Sequence, residues 1–173
     1  MESVTSPTIR AALTTDALAV ARVHVRSWQV AYSGLLPAEY LDSLRPEHRA
    51  ARYTFELPPP APATLVAIDG ERICGFATTG ESRDDDTPGF GQLLALYVHP
   101  EYWSTGVGRA LISAARNSLA GAGYCIATLW VLTGNKRAER FYLADGWRPD
   151  GRHRTDTIGG ATVEETSYRR QVP

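Results

Sequence analysis

The feature that most limits what this chain can fold into is a strand, a glycine turn and a helix in immediate succession. Leu93-Leu94-Ala95-Leu96-Tyr97-Val98 is an unbroken apolar run of strand length, and His99-Pro100 ends it. Glu101-Tyr102-Trp103-Ser104-Thr105-Gly106-Val107-Gly108-Arg109 follows, and Val107, Leu111, Ala115 and Leu119 then share one face of a helix. The first turn of a helix presents N–H groups without intrahelical partners and a partial positive charge. Such a turn can hold a phosphate without a basic side chain; Gly106 and Gly108 leave room for the anion, and Arg109 adds charge.

Two other phosphate loops fail on their own requirements. The dinucleotide fingerprint needs a third glycine where Leu111 stands, and the triphosphate loop needs a Gly-Lys-Ser/Thr sequence that this turn lacks.

Around this core the chain alternates strand and helix signals. Residues 8–13 form a short opening strand, and Thr14-Thr15-Asp16 offers caps for a helix over 16–32. That helix carries Leu18, Ala21, Val25, Trp28 and Tyr32 at helical spacing, and Gly34 stops it. Prolines open two short helices at 38–44 and 47–53, and Pro58-Pro59-Pro60-Ala61-Pro62 is a connector. Residues 64–68 and 73–79 flank Asp69-Gly70-Glu71-Arg72 as a hairpin, 127–131 form a further apolar strand, and a last hairpin turns at Gly159-Gly160. The loop at 82–89, with Asp84-Asp85-Asp86, is read as mobile and solvated, with attraction of a cationic substrate as its other reading. It lacks the ligand spacing of a calcium loop.

Composition narrows the function classes. A length of 173 residues with 43% hydrophobic content suits one domain over 1–173 with a single core. With 18 basic and 19 acidic residues, the broad positive field that nucleic-acid binders need is missing. Cys74 and Cys125 lie in apolar runs and are read as buried thiols of a reducing cytoplasm, with no metal-ligand spacing. Met1 to Ser6 lack the features of a signal peptide, and no run reaches the length of a membrane span. A soluble cytoplasmic protein with no metal is expected.

The extended text from Leu96 to Leu111 resembles the coenzyme-binding motif of the GNAT superfamily of N-acetyltransferases. The resemblance implies a mixed α/β fold: a mostly antiparallel sheet of about seven strands flanked by about four helices. It implies acetyl-CoA as cosubstrate, with the strand backbone at Leu96, Tyr97 and Val98 taking the acetyl carbonyl and pantetheine arm. The pyrophosphate would then lie on N–H groups of Ser104, Thr105, Gly106, Val107, Gly108 and Arg109. The family pattern places Gln or Arg where this chain has Trp103. Because the cradle is mostly backbone, coenzyme binding survives this departure, and Trp103 is expected to pack beside the turn.

A second motif points the same way. Asn135 suits the N-cap of a helix carrying Ala138, Phe141, Tyr142 and Asp145 on one side, and Gly146-Trp147 closes it. Lys136 and Arg137 oppose the dipole of that helix, which makes sense beside a bound anion. By resemblance, Asn135 contacts the coenzyme arm and Tyr142 lies near the sulfur. A phenol with a pKa of about 10 can protonate the departing thiolate, so Tyr142 is the candidate general acid.

The base and the acceptor are less defined. Relatives carry Glu near the start of the coenzyme strand, where this chain has Gln92, which cannot act as a base. Glu81 is the candidate substitute, with a solvated strand-end glutamate as its other reading; His24 and His99 are weaker candidates. The segment from Trp28 to Pro37 resembles a bacterial branch that includes polyamine acetyltransferases, so Trp28 and Tyr32 are candidate pocket residues. The expected acceptor is a small primary amine or polyamine. A peptide amine, a noncatalytic acyl-CoA-binding module and an interaction subunit stay open, as does a homodimer.

Overall fold

The computed structural model describes residues 6–173; of the amino-terminal segment, residues 1–5 lie outside this range. Seven strands form one sheet in the order β1-β2-β3-β4-β5-β7-β6. They are β1 (Thr8–Ala11), β2 (Ala63–Asp69), β3 (Arg72–Glu81), β4 (Gly91–Val98), β5 (Ile126–Leu132), β6 (Arg148–Ile158) and β7 (Ala161–Gln171). Every pairing is antiparallel except β4 with β5. Helices α1 (Ala17–Ala31), α2 (Ala38–Ser43) and α3 (Pro46–Ala50) precede β2, α4 (Val107–Gly121) joins β4 to β5, and α5 (Lys136–Ala144) joins β5 to β6. The expected sheet, both hairpins and the strand–turn–helix unit are all present.

Side-chain size on β3 sets the two layers. Gly75 and Ala77 face α4, where a Cβ at Gly75 would come within 2.8 Å of Leu111 and 3.3 Å of Val107. Small residues here let α4 lie close on the sheet. Phe76, pointing the other way, packs against Val20 and Val23 of α1. The α1 face buries Val20, Ala21, Val23, His24, Val25 and Ser27, whereas Leu18 is 37% exposed. The expected helix is present, with its inner stripe turned away from Leu18.

Two further expectations change. Cys74 is buried, but Cys125 is exposed, because it lies on the turn leading into β5 rather than within the strand. The acidic loop is not simply solvated: Arg152 of β6 bonds Asp84 at 3.3 Å and Asp86 at 2.9 Å, and Trp130 Nε1 donates to Asp84 at 2.9 Å. Among the described residues, no helix is long and apolar enough to cross a membrane.

Candidate active site

The site begins with a failure of strand pairing. β4 and β5 pair only at Gly91↔Ala127 and Gln92↔Thr128, so beyond these residues the strands diverge. On its other edge, β4 stays paired to β3, with a bulge: Thr78 opposes Ala95, Thr79 opposes Leu93, and Leu94 is the extra residue. The bulge switches the facing of the strand, so that Leu93 contributes to the α4 core before it and Ala95 and Tyr97 pack toward α1 after it. From Leu94 to Val98 the β5-facing edge has no strand partner and leaves backbone polar groups for other uses.

A cleft of about 910 Å³ fills the gap. Leu96, Tyr97 and Val98 line it, together with Ser104, Gly106, Gly108, Arg109, Asn135, Tyr142 and Tyr32. Thr105 and Val107 stand behind the lining: Thr105 Oγ1 bonds the carbonyl of Tyr102 at 2.6 Å, and Val107 is buried against the sheet. Trp28 is also set back, edge-on to Tyr32 with ring centroids 5.0 Å apart.

The two glycines of the turn serve different needs. Gly106, the N-cap of α4, has φ +97°, a conformation strained for any L side chain, and a Cβ there would meet nothing within 4 Å. Gly108 has a negative φ, but a Cβ there would come within 3.2 Å of the Phe141 ring. It is small because α5 packs on the first turn of α4, which brings Asn135 and Tyr142 to the cleft.

Trp103 does more than pack. Its indole N–H donates to the carbonyl of Val98 at 2.8 Å, and the Arg137 guanidinium lies 3.3 Å from its ring centroid. Asn135 caps α5 by accepting the Ala138 N–H at 3.3 Å. Tyr142 is 9% exposed, and burial pushes its phenol well above the ordinary value. Its ring is edge-on to Phe141 and Trp147, at 5.3 and 6.3 Å. A phenol in this state stays protonated through neutral pH and can donate to a developing anion.

The candidate bases fall outside the cleft. Glu81 is exposed at the end of β3, opposite Gly91 and therefore at the closed end of the splay. Gln92 is buried, and its Oε1 accepts the Arg83 N–H at 2.9 Å, pinning the acidic loop. His24 is packed between Tyr53, whose hydroxyl is 2.6 Å from Nδ1, and Tyr97, with ring centroids 4.9 Å apart. Burial and the charge of Arg49 pull its pKa down to about 3. His99 Nδ1 accepts the Glu101 N–H at 3.3 Å, a local cap before the turn.

Several cleft residues were not read from the sequence. Trp130 lines the cleft, with the Arg154 and Arg152 guanidiniums 4.3 and 5.2 Å from its ring centroid. In the sequence it was one member of an apolar strand. Arg140 also lines the cleft with Arg109 and Arg137, while Arg116 is committed to Asp145 at 3.1 and 3.3 Å.

A splayed strand pair running into a glycine-capped helix matches known proteins. The profile of the acetyltransferase (GNAT) family matches residues 24–147. The chain belongs to the GNAT family of acetyltransferases. Its cosubstrate is accordingly acetyl-CoA, and its reaction class is N-acetyl transfer. An uncharacterised N-acetyltransferase of Bacillus subtilis, YuaI, is 30% identical over 129 residues, spanning 74% of this chain and 73% of the relative. One from Mycobacterium bovis is 32% identical over 138 residues, covering 79% and 86%. The fold is also that of the PaiA N-acetyltransferase of Thermoplasma acidophilum, a structure in complex with coenzyme A. That likeness has a TM-score of 0.73 at 22% identity, covering 96% of this chain and 99% of the other.

Proposed function

We propose that this GNAT-family chain, acting as one catalytic domain over 1–173, acetylates a small primary amine by direct attack on acetyl-CoA, with Tyr142 as general acid. The observation that carries this reading is the place of the Tyr142 phenol, which lines the splay between β4 and β5 and, like any tyrosine, is protonated at neutral pH. Acetyl-CoA supplies the activated thioester. The unpaired edge of β4 at Leu96, Tyr97 and Val98 holds the acyl arm, and Asn135 orients it from the start of α5. N–H groups from Ser104 to Arg109 take the pyrophosphate, helped by the αL turn at Gly106.

The amine nitrogen bonds the acetyl carbon, Tyr142 donates its proton to the sulfur as the C–S bond breaks, and the proton that the nitrogen sheds on becoming an amide returns through solvent to the tyrosinate. The amine must arrive without its proton. Glu81 is set away from the cleft, so we assign deprotonation to solvent in the cleft rather than to a side chain.

The acceptor enters from the α1 side, where Tyr32 and Trp130 provide aromatic faces. Behind Trp130, the carboxylates of Asp84, Asp86, Asp150 and Glu165 face the guanidiniums of Arg152 and Arg154, leaving an acidic excess. Aromatic faces beside an acidic excess favour a cationic amine, and a polyamine fits this description. The free thiols at Cys74 and Cys125 suit a reducing cytoplasm. A panel of amines scored by release of the free coenzyme thiol tests the reading. Turnover with small primary amines supports it; turnover with only peptide amino termini or aminoglycosides contradicts the acceptor class.

A further inference from the structure

The side chain at 103 departs from the polar residue that its motif leads one to expect, and the structure shows what stands in its place. The Arg137 guanidinium lies 3.3 Å from the centroid of the Trp103 ring. The ring itself is anchored on its edge, since the indole N–H donates to the Val98 carbonyl at 2.8 Å. Trp103 belongs to the segment leading into α4, while Arg137 stands in the first turn of α5. The stack therefore ties the two elements that face each other across the coenzyme end of the cleft, and both residues line it.

Among the described residues, Arg137 has no anionic partner. Its neighbour Lys136 is paired to Glu139 at 3.0 Å, and Arg116 is bonded to Asp145, but no carboxylate approaches Arg137 among the described residues. It also sits at the positive end of the α5 dipole, where a cation is unfavourable. The residue as a whole is exposed, yet desolvation by its surroundings pushes its pKa down from the ordinary value. A cation held in an unfavourable place by a deliberate stack, facing a helix N-terminus, is arranged for an anion that the chain does not itself contain.

We propose that Arg137, held in place by Trp103, supplies the cationic contact to the coenzyme's diphosphate, and that this pair takes over the role of a polar side chain at 103. The inference rests on the coenzyme reading above. Arg137 is the diphosphate-contacting group, and Trp103 is a positioning residue. Stacking leaves the N–H edges of the guanidinium free, so the fork can bond phosphate oxygens while its face rests on the indole. Arg109 and Arg140 also line the cleft, but neither has its guanidinium fixed by a ring.

The test measures dissociation constants by titration calorimetry with coenzyme A, dephospho-coenzyme A, which lacks only the 3′-phosphate, and pantetheine, which lacks both phosphates and nucleoside. Arg137→Ala should weaken coenzyme A and dephospho-coenzyme A alike by about tenfold, the scale of one charge-assisted hydrogen bond, and leave pantetheine unchanged. It should also lower the dependence of coenzyme affinity on salt. Arg137→Lys, which keeps the charge and loses the planar fork, should recover only part of the loss. Trp103→Phe keeps a core-sized ring without the indole anchor and should weaken coenzyme A severalfold. That loss should vanish in the Arg137→Ala background, because the ring then has nothing to position.

Coenzyme A affinity unchanged in Arg137→Ala would overturn this proposal alone, with the coenzyme reading intact. A loss seen for coenzyme A but not for dephospho-coenzyme A would place Arg137 on the 3′-phosphate and overturn it too. Additive losses in the double variant would remove Trp103 from the role. Failure of the unaltered protein to bind any of the three probes would instead overturn the coenzyme reading itself.

Discussion

The half of the cleft proposed for the coenzyme and the half proposed for the acceptor are built on different principles. The coenzyme half is assembled from elements close in sequence: β4, the turn at Gly106, α4 and the start of α5. Its main devices are backbone ones, an unpaired strand edge and a helix N-terminus, and two glycines shape it. The acceptor half is assembled from distant pieces. Arg152 of β6 reaches Asp84 and Asp86, 68 and 66 residues earlier in the chain, and the Gly159 turn of the β6–β7 hairpin packs against Tyr40 of α2. A backbone cradle tolerates change in side chains. A clasp of side chains changes shape whenever one member is replaced, which suits a surface that selects among acceptors.

This contrast can be broken first at the chemical centre, where the largest effect is expected. Tyr142→Phe should lower kcat by roughly 10²- to 10³-fold, the usual worth of a positioned acid, while coenzyme A binds as before. Steady-state kinetics beside a coenzyme titration separate the two; a kcat near that of the unaltered enzyme would show that the thiolate leaves without this proton.

Arg152→Met probes the other half. Removing the guanidinium leaves Asp150, with its side chain 7% exposed, without its cation, and leaves Asp84, 14% exposed, with Arg154 alone at 3.8 Å, at a cost of about 3 kcal/mol in urea denaturation. Asp150 is held below the ordinary carboxylate range despite burial, because the Arg152 N–H, the Ser167 hydroxyl and the Arg152 side chain all donate to it. The acceptor KM should rise while coenzyme affinity stays unchanged. Equal losses on both substrates would mean that the halves are not separable.

Gly106→Val forces a branched side chain into a left-handed conformation at the N-cap of α4, costing about 1–2 kcal/mol. Coenzyme affinity should fall and the acceptor KM should not. The smallest effect expected is on pH dependence. His24 has a folded pKa near 3, below the unfolded value of 6.5, so the unfolded chain binds the extra proton between them. Stability from the neutral ring is present above pH 6.5 and is lost as pH falls, by about 1 kcal/mol at pH 5.5. His24→Phe should flatten that part of the profile in denaturant melts.

The same division explains what could be read from the sequence. Gly106, Asn135 and the apolar run of β4 announce themselves through local rules of turns, caps and periodicity, so the strand, turn and helix starts that line this half were legible. The bulge at Leu94 was not, because nothing local in an all-apolar strand says which residue lacks a partner. Trp130 hid in an apolar run for a similar reason: its surroundings come from β6 and the β3–β4 loop. The acidic loop looked solvated because its arginine partner is more than sixty residues away. Arg137 left one trace, a cation at the wrong end of a helix dipole. The absence of glutamate at Gln92 was visible, but its role in holding the Arg83 N–H was not.

In the proposed complex the coenzyme lies between β4 and β5 with its diphosphate on the first turn of α4. Backbone amide NMR during titration with acetyl-CoA tests it most directly. The account predicts saturable shifts concentrated at residues 94–98 and 104–109 and at Asn135, with the far end of the β6–β7 hairpin little changed. Saturable binding with those amides unmoved, and shifts clustered on the hairpin or α2 instead, would contradict it.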